Sequence, residues 1–445
     1  MVTTDPIDEL EAQSLRPHWG FAKRVSFRFI VVYFGLYCLT TQIFGGLLNI
    51  PNIDIPDLAT FWPVRPILLW AASHIFRIQQ PLVYTGSGSG DKIFDWLLVA
   101  LLLVIAALAT VVWSVVDRVI DRRRTNYDRA FRWFQLFLRF ALGSQMLSYG
   151  FAKVFPMQMP YPGLRTLVEP FGSFSPMGVL WTFIGASPAY EILCGSAELL
   201  GGILVMLPRT SLLGALVCAG VTGQIFVLNM TYDVPVKLLS FQLMLMSLFL
   251  AAPEFSRLAT LFFRDRPVEP SKQRPLFRGR RGNRIALAAQ LVFLAWLLGT
   301  DIYGGFGDWK KYGGASPKPV LYGIWKIDKV SIDGHERSPL LNDYGRWRQL
   351  IFEYPGYMNY QRMDESFGSY GAVVNEKDQS ITLADNSDKK WRGSLHYQRP
   401  AQDRLILDGN LGGHPVAMQL ELVDKNKFLL ISRGFHWVQE YPFHR

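Results

Sequence analysis

The sequence predicts an all-α polytopic membrane bundle of about seven transmembrane helices followed by a C-terminal antiparallel β-barrel or sandwich. Three observations carry this. Half of the 445 residues are hydrophobic and only 18% are charged, against about 25% charged in a typical soluble domain. Apolar runs of spanning length recur from residue 26 to residue 303 and then cease. Beyond residue 316 the apolar residues alternate with polar ones, the period of a half-buried strand.

The first 25 residues begin acidic (Asp5, Asp8, Glu9, Glu11) and end basic (Lys23, Arg24). No small-residue cleavage site follows the first apolar run, so a removable signal peptide is not expected. Spans are expected at 26–48, 94–116, about 132–153, about 186–207, 211–229, 236–252 and 285–303. Each is close to the roughly 20 residues that cross the hydrocarbon. Phe61 to Ile78 is aromatic-rich but broken by Pro63, Arg65, Pro66 and His74, which suits an interfacial or re-entrant helix. TGSGSGD (85–91) lacks the preceding strand and the Gly-Lys-Ser/Thr of a phosphate loop. It reads as a turn in which Asp91 caps the next helix. The basic, Pro-rich stretch RDRPVEPSKQRPLFRGRRGNR (264–284) reads as a linker without a core of its own.

Lys and Arg in the short loops set orientation. Loop 117–131 has five (Arg118, Arg122, Arg123, Arg124, Arg129) and 253–284 has nine. The other side has Arg65, Arg77 and Lys92 in 49–93, Lys153 and Arg165 in 153–187, and only Lys237 in 230–237. The expected location is therefore a bacterial inner (plasma) membrane, with the N-terminus cytoplasmic and the C-terminal domain periplasmic or extracellular. This pattern accounts for much of the net charge of +10, so a nucleic-acid partner is not expected. Cys38, Cys194 and Cys218 all lie in apolar segments, and the polar domain has none. A disulfide framework there is excluded. None of the seven histidines lies within a span, so an intramembrane bis-histidine haem site cannot be built. No metal signature is evident.

The strand-like runs are RWRQLIFEY, QSITLAD, WRGSLHYQR, DRLILDG, VAMQLELV and KFLLISRG. The domain begins GIW (323–325) and closes with SRGFHWV. A Gly-x-Trp on the first strand, with a late Arg (Arg433) to cover the indole, resembles the lipocalin-like barrels.

An ionisable side chain in mid-bilayer is costly, so it faces the bundle interior and finds a partner. Glu198 lies ten residues from both Pro188 and Pro208, the middle of its span. Glu191 lies on the same face, one level outward. Arg139, Gly143, Gly150 and Lys153 fall on one stripe of the preceding span, with small residues that admit a neighbouring helix. Arg139 is the cation expected to pair with Glu198. Above that pair an outward-facing polar cluster is expected from Gln145, Tyr149, Lys153, Glu191, Asn229, Asp233 and Lys237. The competing readings are an ion bridge that only sets helix register and, for Asn229, Asp233 and Lys237, a helix cap with interfacial residues.

Arg139, Gly143, Gly150 and Lys153, followed by ELLGGIL (198–204) and the PRT turn, resemble the DoxX family of four-helix membrane proteins over about 132–263. The expected partition is then 1–131 (tail, two spans and an external interfacial segment), 132–263 (DoxX-like four-helix core), 264–315 (linker and seventh span) and 316–445 (external β domain). The resemblance implies polar positions at Arg139, Lys153 and Glu198, and a redox-linked component with a quinone-type ligand. Two further readings stay open: a small-solute or proton-coupled carrier using Glu198, and a non-catalytic scaffold presenting 316–445 to a periplasmic protein. No catalytic residue is assigned, and whether the chain is an enzyme is left open.

Overall fold

The computed structural model describes residues 19–51, 53–120, 126–264, 266–271, 275–385, 388 and 390–444. The acidic start (Asp5, Asp8, Glu9, Glu11), Arg122, Arg123 and Arg124 of the basic loop, and Lys272 and Arg274 of the linker lie outside the described residues. The chain divides into two compact units, Met1–Phe155 with Ile192–Gly307, and Pro156–Glu191 with Asp308–Arg445.

The first unit is helical: α1 (Phe21–Thr40), α2 (Gln42–Leu48), α3 (Val64–His74), α4 (Ile93–Ile120) and α5 (Asp128–Val154). Part of α8 (Pro188–Met206) follows, then α9 (Ser211–Thr231), α10 (Lys237–Ala251), α11 (Phe255–Phe263) and most of α12 (Arg280–Tyr312). Among the described residues, five stretches are long and apolar enough to cross a membrane: α4, α8, α9, α10 continuing into α11, and α12. The α1–α2 pair is bent by 74° and makes a sixth if counted as one span. The bend falls at Thr41, whose hydroxyl donates to Tyr37 O at 2.7 Å. α5 has 27 residues but carries Asp128, Arg129, Arg132, Arg139 and Lys153, which keeps it outside that apolar set. Its buried face is nonetheless the spine of the core, with Leu138, Leu142, Met146 and Leu147 packed among α1, α4, α8 and α10. α3 has 11 residues, too few to span, and Trp62, Trp70 and Phe76 around it are exposed. Residues 255–263, beyond the expected end of the sixth span at 252, are helical and continue α10.

The second unit holds β1 (Gly323–Ile332), β2 (His335–Glu336), β3 (Trp347–Phe352), β4 (Gly356–Arg362), β5 (Phe367–Asn375), β6 (Ser380–Ala384), β7 (Arg392–Ala401), β8 (Arg404–Leu411) and β9 (His414–Leu422). Neighbours pair antiparallel, and β9 returns to β1 with Trp325 opposite Leu422. The sheet is therefore a closed eight-stranded barrel, with β2 a short ribbon extending β1. Alternating inward residues fill it: Trp325, Leu350, Phe352, Met358, Ile381, Leu383, Leu395, Leu405, Leu407 and Leu420. Trp325 is 0% exposed and its Nε1 donates to Leu321 O at 2.8 Å. The cation over its indole is Arg399 of β7, 5.5 Å from the ring centre, whereas the expected Arg433 lies over Phe443. KFLLISRG is not a strand but a 3-10 turn (Lys425–Lys427) and a short helix α13 (Leu429–Ser432). Closure by β1 and β9 leaves no ladder edge for it to join.

Pro156–Glu191 contains α6 (Leu164–Val168) and α7 (Pro176–Gly185). The first packs on the outside of the barrel. Leu164 is buried with Ile324 and Ile351, and the Glu353 carboxylate accepts from Leu164 N at 2.8 Å. Gln361 reaches Val168 O at 3.3 Å.

Candidate functional site

The site is set by how α5 lies against α8. Their glycines interlock: a Cβ on Gly195 would come within 2.6 Å of Gly150 O, one on Gly150 within 2.8 Å of Leu199, and one on Gly143 within 2.4 Å of Met206. The close approach expected of the small-residue stripe is thus present. It also fixes an antiparallel register in which Lys153, not Arg139, is level with Glu198. Lys153 Nζ lies 2.6 Å from Glu198 Oε1, with the side chains 7% and 2% exposed.

The expected Arg139–Glu198 pair is not formed. Arg139 lies fourteen residues before Lys153, about 21 Å along the helix at ~1.5 Å per residue, and so meets the far end of α8. There its guanidinium donates to Val205 O at 2.7 Å and to Met206 O. These carbonyls end a helix and have no intrahelical donor, so Arg139 caps α8.

Tyr149 and Gln145, one and two turns before Lys153, join the pair to the rest of the bundle. Gln42 at the start of α2 donates to Gln145 Oε1 at 3.0 Å and to the Tyr149 hydroxyl at 2.9 Å. The Lys153 ammonium sits 5.9 Å from the Tyr149 ring centre. Gly46 permits this: a Cβ there would lie 2.3 Å from Gln145 Nε2. Gln42 also lines a cleft of about 460 Å3 together with Asn49, Asp54, Asp57, Tyr84 and Lys92. Gly86 to Gly88 of the glycine-rich loop form part of its wall. Burial, and then the charge of Asp95, push the Asp57 carboxyl up to about 6. The arrangement is a polar track, Gln42 to Gln145 and Tyr149 to Lys153 and Glu198, with a titrating acid at its mouth.

The other expected residues lie elsewhere. Glu191 is fully buried and accepts from Met159 N at 2.9 Å, tying down the segment that covers the barrel. Asn229 Nδ2 donates to Val236 O at 3.2 Å and to the Ser240 hydroxyl at 3.0 Å, bracing the α9–α10 turn. Asp233 is 85% exposed and pairs with Lys237 at 3.0 Å, one helical turn on. Asp91 does not cap α4. Its carboxylate accepts from Lys237 N at 2.8 Å and Leu238 N at 2.9 Å, capping α10. The reason is a long-range turn in which Gly90 N donates to Pro235 O at 2.8 Å. Gln42, Asp57 and Lys92 were missed by sequence reasoning. The signal for Gln42 was the TTQ-x2-GG run (40–46), a polar and small-residue break inside an apolar stretch.

Fold and site together define a class: a helical membrane protein with a buried ion pair in its bundle and a closed β-barrel domain at its C-terminus. Over 145 residues, 31% of this chain, the sequence is 30% identical to the uncharacterized protein YwoB of Bacillus subtilis (strain 168), 83% of which is covered. The chain belongs to the family of YwoB. No family model matches it, and no solved structure matches it.

Proposed function

We propose that the bundle is a DoxX-like inner-membrane carrier that moves protons, or a small polar solute with protons, through the Lys153–Glu198 pair. The observation that carries this reading is the line of polar side chains from the 460 Å3 cleft through Gln42, Gln145 and Tyr149, whose ring centre lies 5.9 Å from the Lys153 ammonium, to that pair. A buried carboxylate beside an ammonium can exchange its partner for a solute bearing a charge or hydroxyl. It can also take up a proton when the ammonium moves away. Tyr149 and the two glutamines supply donors and acceptors along the way. The cleft is mostly polar, which suits a small polar solute better than the ring and tail of a quinone.

Seven crossings fit this reading when α5 counts as one, because Arg139 and Lys153, its inner charges, are both satisfied inside the bundle. Pro156–Glu191 packs on the barrel, so the two share one side of the membrane. Four crossings, α8, α9, α10 and α12, separate them in sequence, an even number as required. The three before (α1 with α2, α4 and α5) then put the N-terminus opposite, on the side that the loop charges assign to the cytoplasm.

The test is proton flux into liposomes containing the full chain and an internal pH dye. Flux should be abolished by Glu198→Gln and reduced by the milder Tyr149→Phe. Equal flux in both variants and the parent sinks the carrier. A quinone difference spectrum lost in Glu198→Gln would put the redox reading in its place.

A further inference from the structure

At the end of the bundle where α5 begins and α8 ends lies a second, larger cavity of about 1050 Å3. We infer that it is a binding site for an anionic phospholipid, with the headgroup phosphate held by Lys23, Arg132 and Arg209. Among the described residues, four cations line the cavity, these three and Arg139, against two acids, Asp128 and Glu254. Both acids are engaged: Asp128 accepts from Trp19 Nε1 at 2.9 Å, and Glu254 pairs with Arg257 and accepts from Ser271 at 2.7 Å. Arg139 is turned to the α8 carbonyls. Arg132 uses Nη1 on Pro275 O, while its buried Nε has no hydrogen-bond partner among the described residues.

The remaining positive potential is reinforced by the start of α9. Thr210 and Ser211 line the cavity, and the Thr210 hydroxyl donates back to Leu204 O at 2.9 Å. Thr210, the N-cap residue, does not turn its side chain onto the 21-residue helix, so the first-turn amides and the positive end of the helix dipole face the anion site.

The opposite wall is apolar, with Leu136, Leu207, Leu250 and Leu287. Beside Leu287 on α12 lie Ile285, Leu291 and Val292, all exposed, a continuous apolar route for acyl chains. A basic pocket between transmembrane helices with such a wall fits a lipid phosphate better than a free one. This inference stands independently of the carrier reading, which concerns the other end of α5.

The experiment titrates the purified full chain in neutral detergent with short-chain phosphatidylglycerol by calorimetry. One saturable site is expected, with no comparable binding of phosphatidylcholine of the same chain length and no competition from inorganic phosphate. Lys23→Gln with Arg209→Gln, both exposed side chains, should weaken binding at least tenfold without changing the melting temperature. Ala286→Trp, which fills the cavity and removes no charge, should also abolish it. Equal binding of phosphatidylcholine, or unchanged affinity in these variants, overturns the proposal. Full competition by inorganic phosphate overturns it in favour of a free anion.

Discussion

The barrel and the bundle bury similar chemistry by opposite means. The barrel closes its ladder through β1 and β9, so its backbone groups are paired before any side chain is considered, and its interior is almost wholly apolar. The bundle satisfies each backbone within single helices and then holds an ammonium and a carboxylate in its core. Such a pair is weak evidence for stability, because desolvation opposes the Coulomb gain. The comparison teaches that the barrel's core serves folding, whereas the bundle keeps a charged centre at a cost to folding.

The sharpest way to break that contrast is Lys153→Met, which leaves Glu198 buried without its cation. A loss of about 3–5 kcal/mol is expected, recovered in large part when Glu198→Gln is added, as read from thermal unfolding in detergent. If the single and double variants melt alike, the two groups are not coupled.

Trp325→Ala should cost the barrel a similar ~3–5 kcal/mol by opening a cavity and leaving Leu321 O unpaired. Near-ultraviolet circular dichroism and proteolysis should show the barrel loosened while the helical far-ultraviolet signal of the bundle persists. Loss of both at once would mean that the two units unfold together.

A smaller effect is expected at the barrel's outer cover. Glu353→Ala removes a charged acceptor from Leu164 N, a change of about 1.5–3 kcal/mol for hydrogen bonds to charged groups. Hydrogen exchange should rise at residues 164–168 and not in the strands. Protection unchanged at Leu164 would remove the carboxylate from that role.

The smallest effect concerns Asp57. Its carboxyl is raised to about 6 in the fold from an unfolded value near ~3.9. Between these values the native state binds more protons than the unfolded chain, so stability falls as pH rises through that window. Asp57→Asn should flatten this slope in melting temperature measured from pH 4 to pH 7. An unaltered slope would place the titration elsewhere.

Much of the architecture was legible because it is written in period. Alternation in QSITLAD and VAMQLELV set β6 and β9, and unbroken apolar runs set α4, α9 and α12. KFLLISRG instead carries four apolar residues in a row (428–431), and a ladder already closed by β1 and β9 has no place for it. The site was legible only in part. Lys153, Glu198, Gln145 and Tyr149 could be picked out as polar residues on apolar helices, yet which of them meet depends on how α5 slides along α8. That register is decided by Gly143, Gly150, Gly195 and Gly202 against their neighbours, and it moves the partner of Glu198 by about four helical turns, a sliding that one-dimensional spacing does not resolve. Asn229, Asp233 and Lys237 follow the competing reading, a braced helix end with interfacial residues: their partners lie in the α9–α10 turn, at Ser240 and at Asp91.

The docking of Pro156–Glu191 on the barrel sets a schedule for making this protein. Leu164 and Glu353 are separated by 189 positions along the chain. At a synthesis rate of about 5–20 residues per second, roughly 10–40 s pass between the appearance of one and the other. During that interval Leu164, whose burial needs Ile324 and Ile351, stays uncovered while four further helices are threaded into the bilayer. The segment cannot settle until the barrel strands have been made, so a nascent chain stalled before residue 323 exposes an apolar side chain that the finished protein conceals.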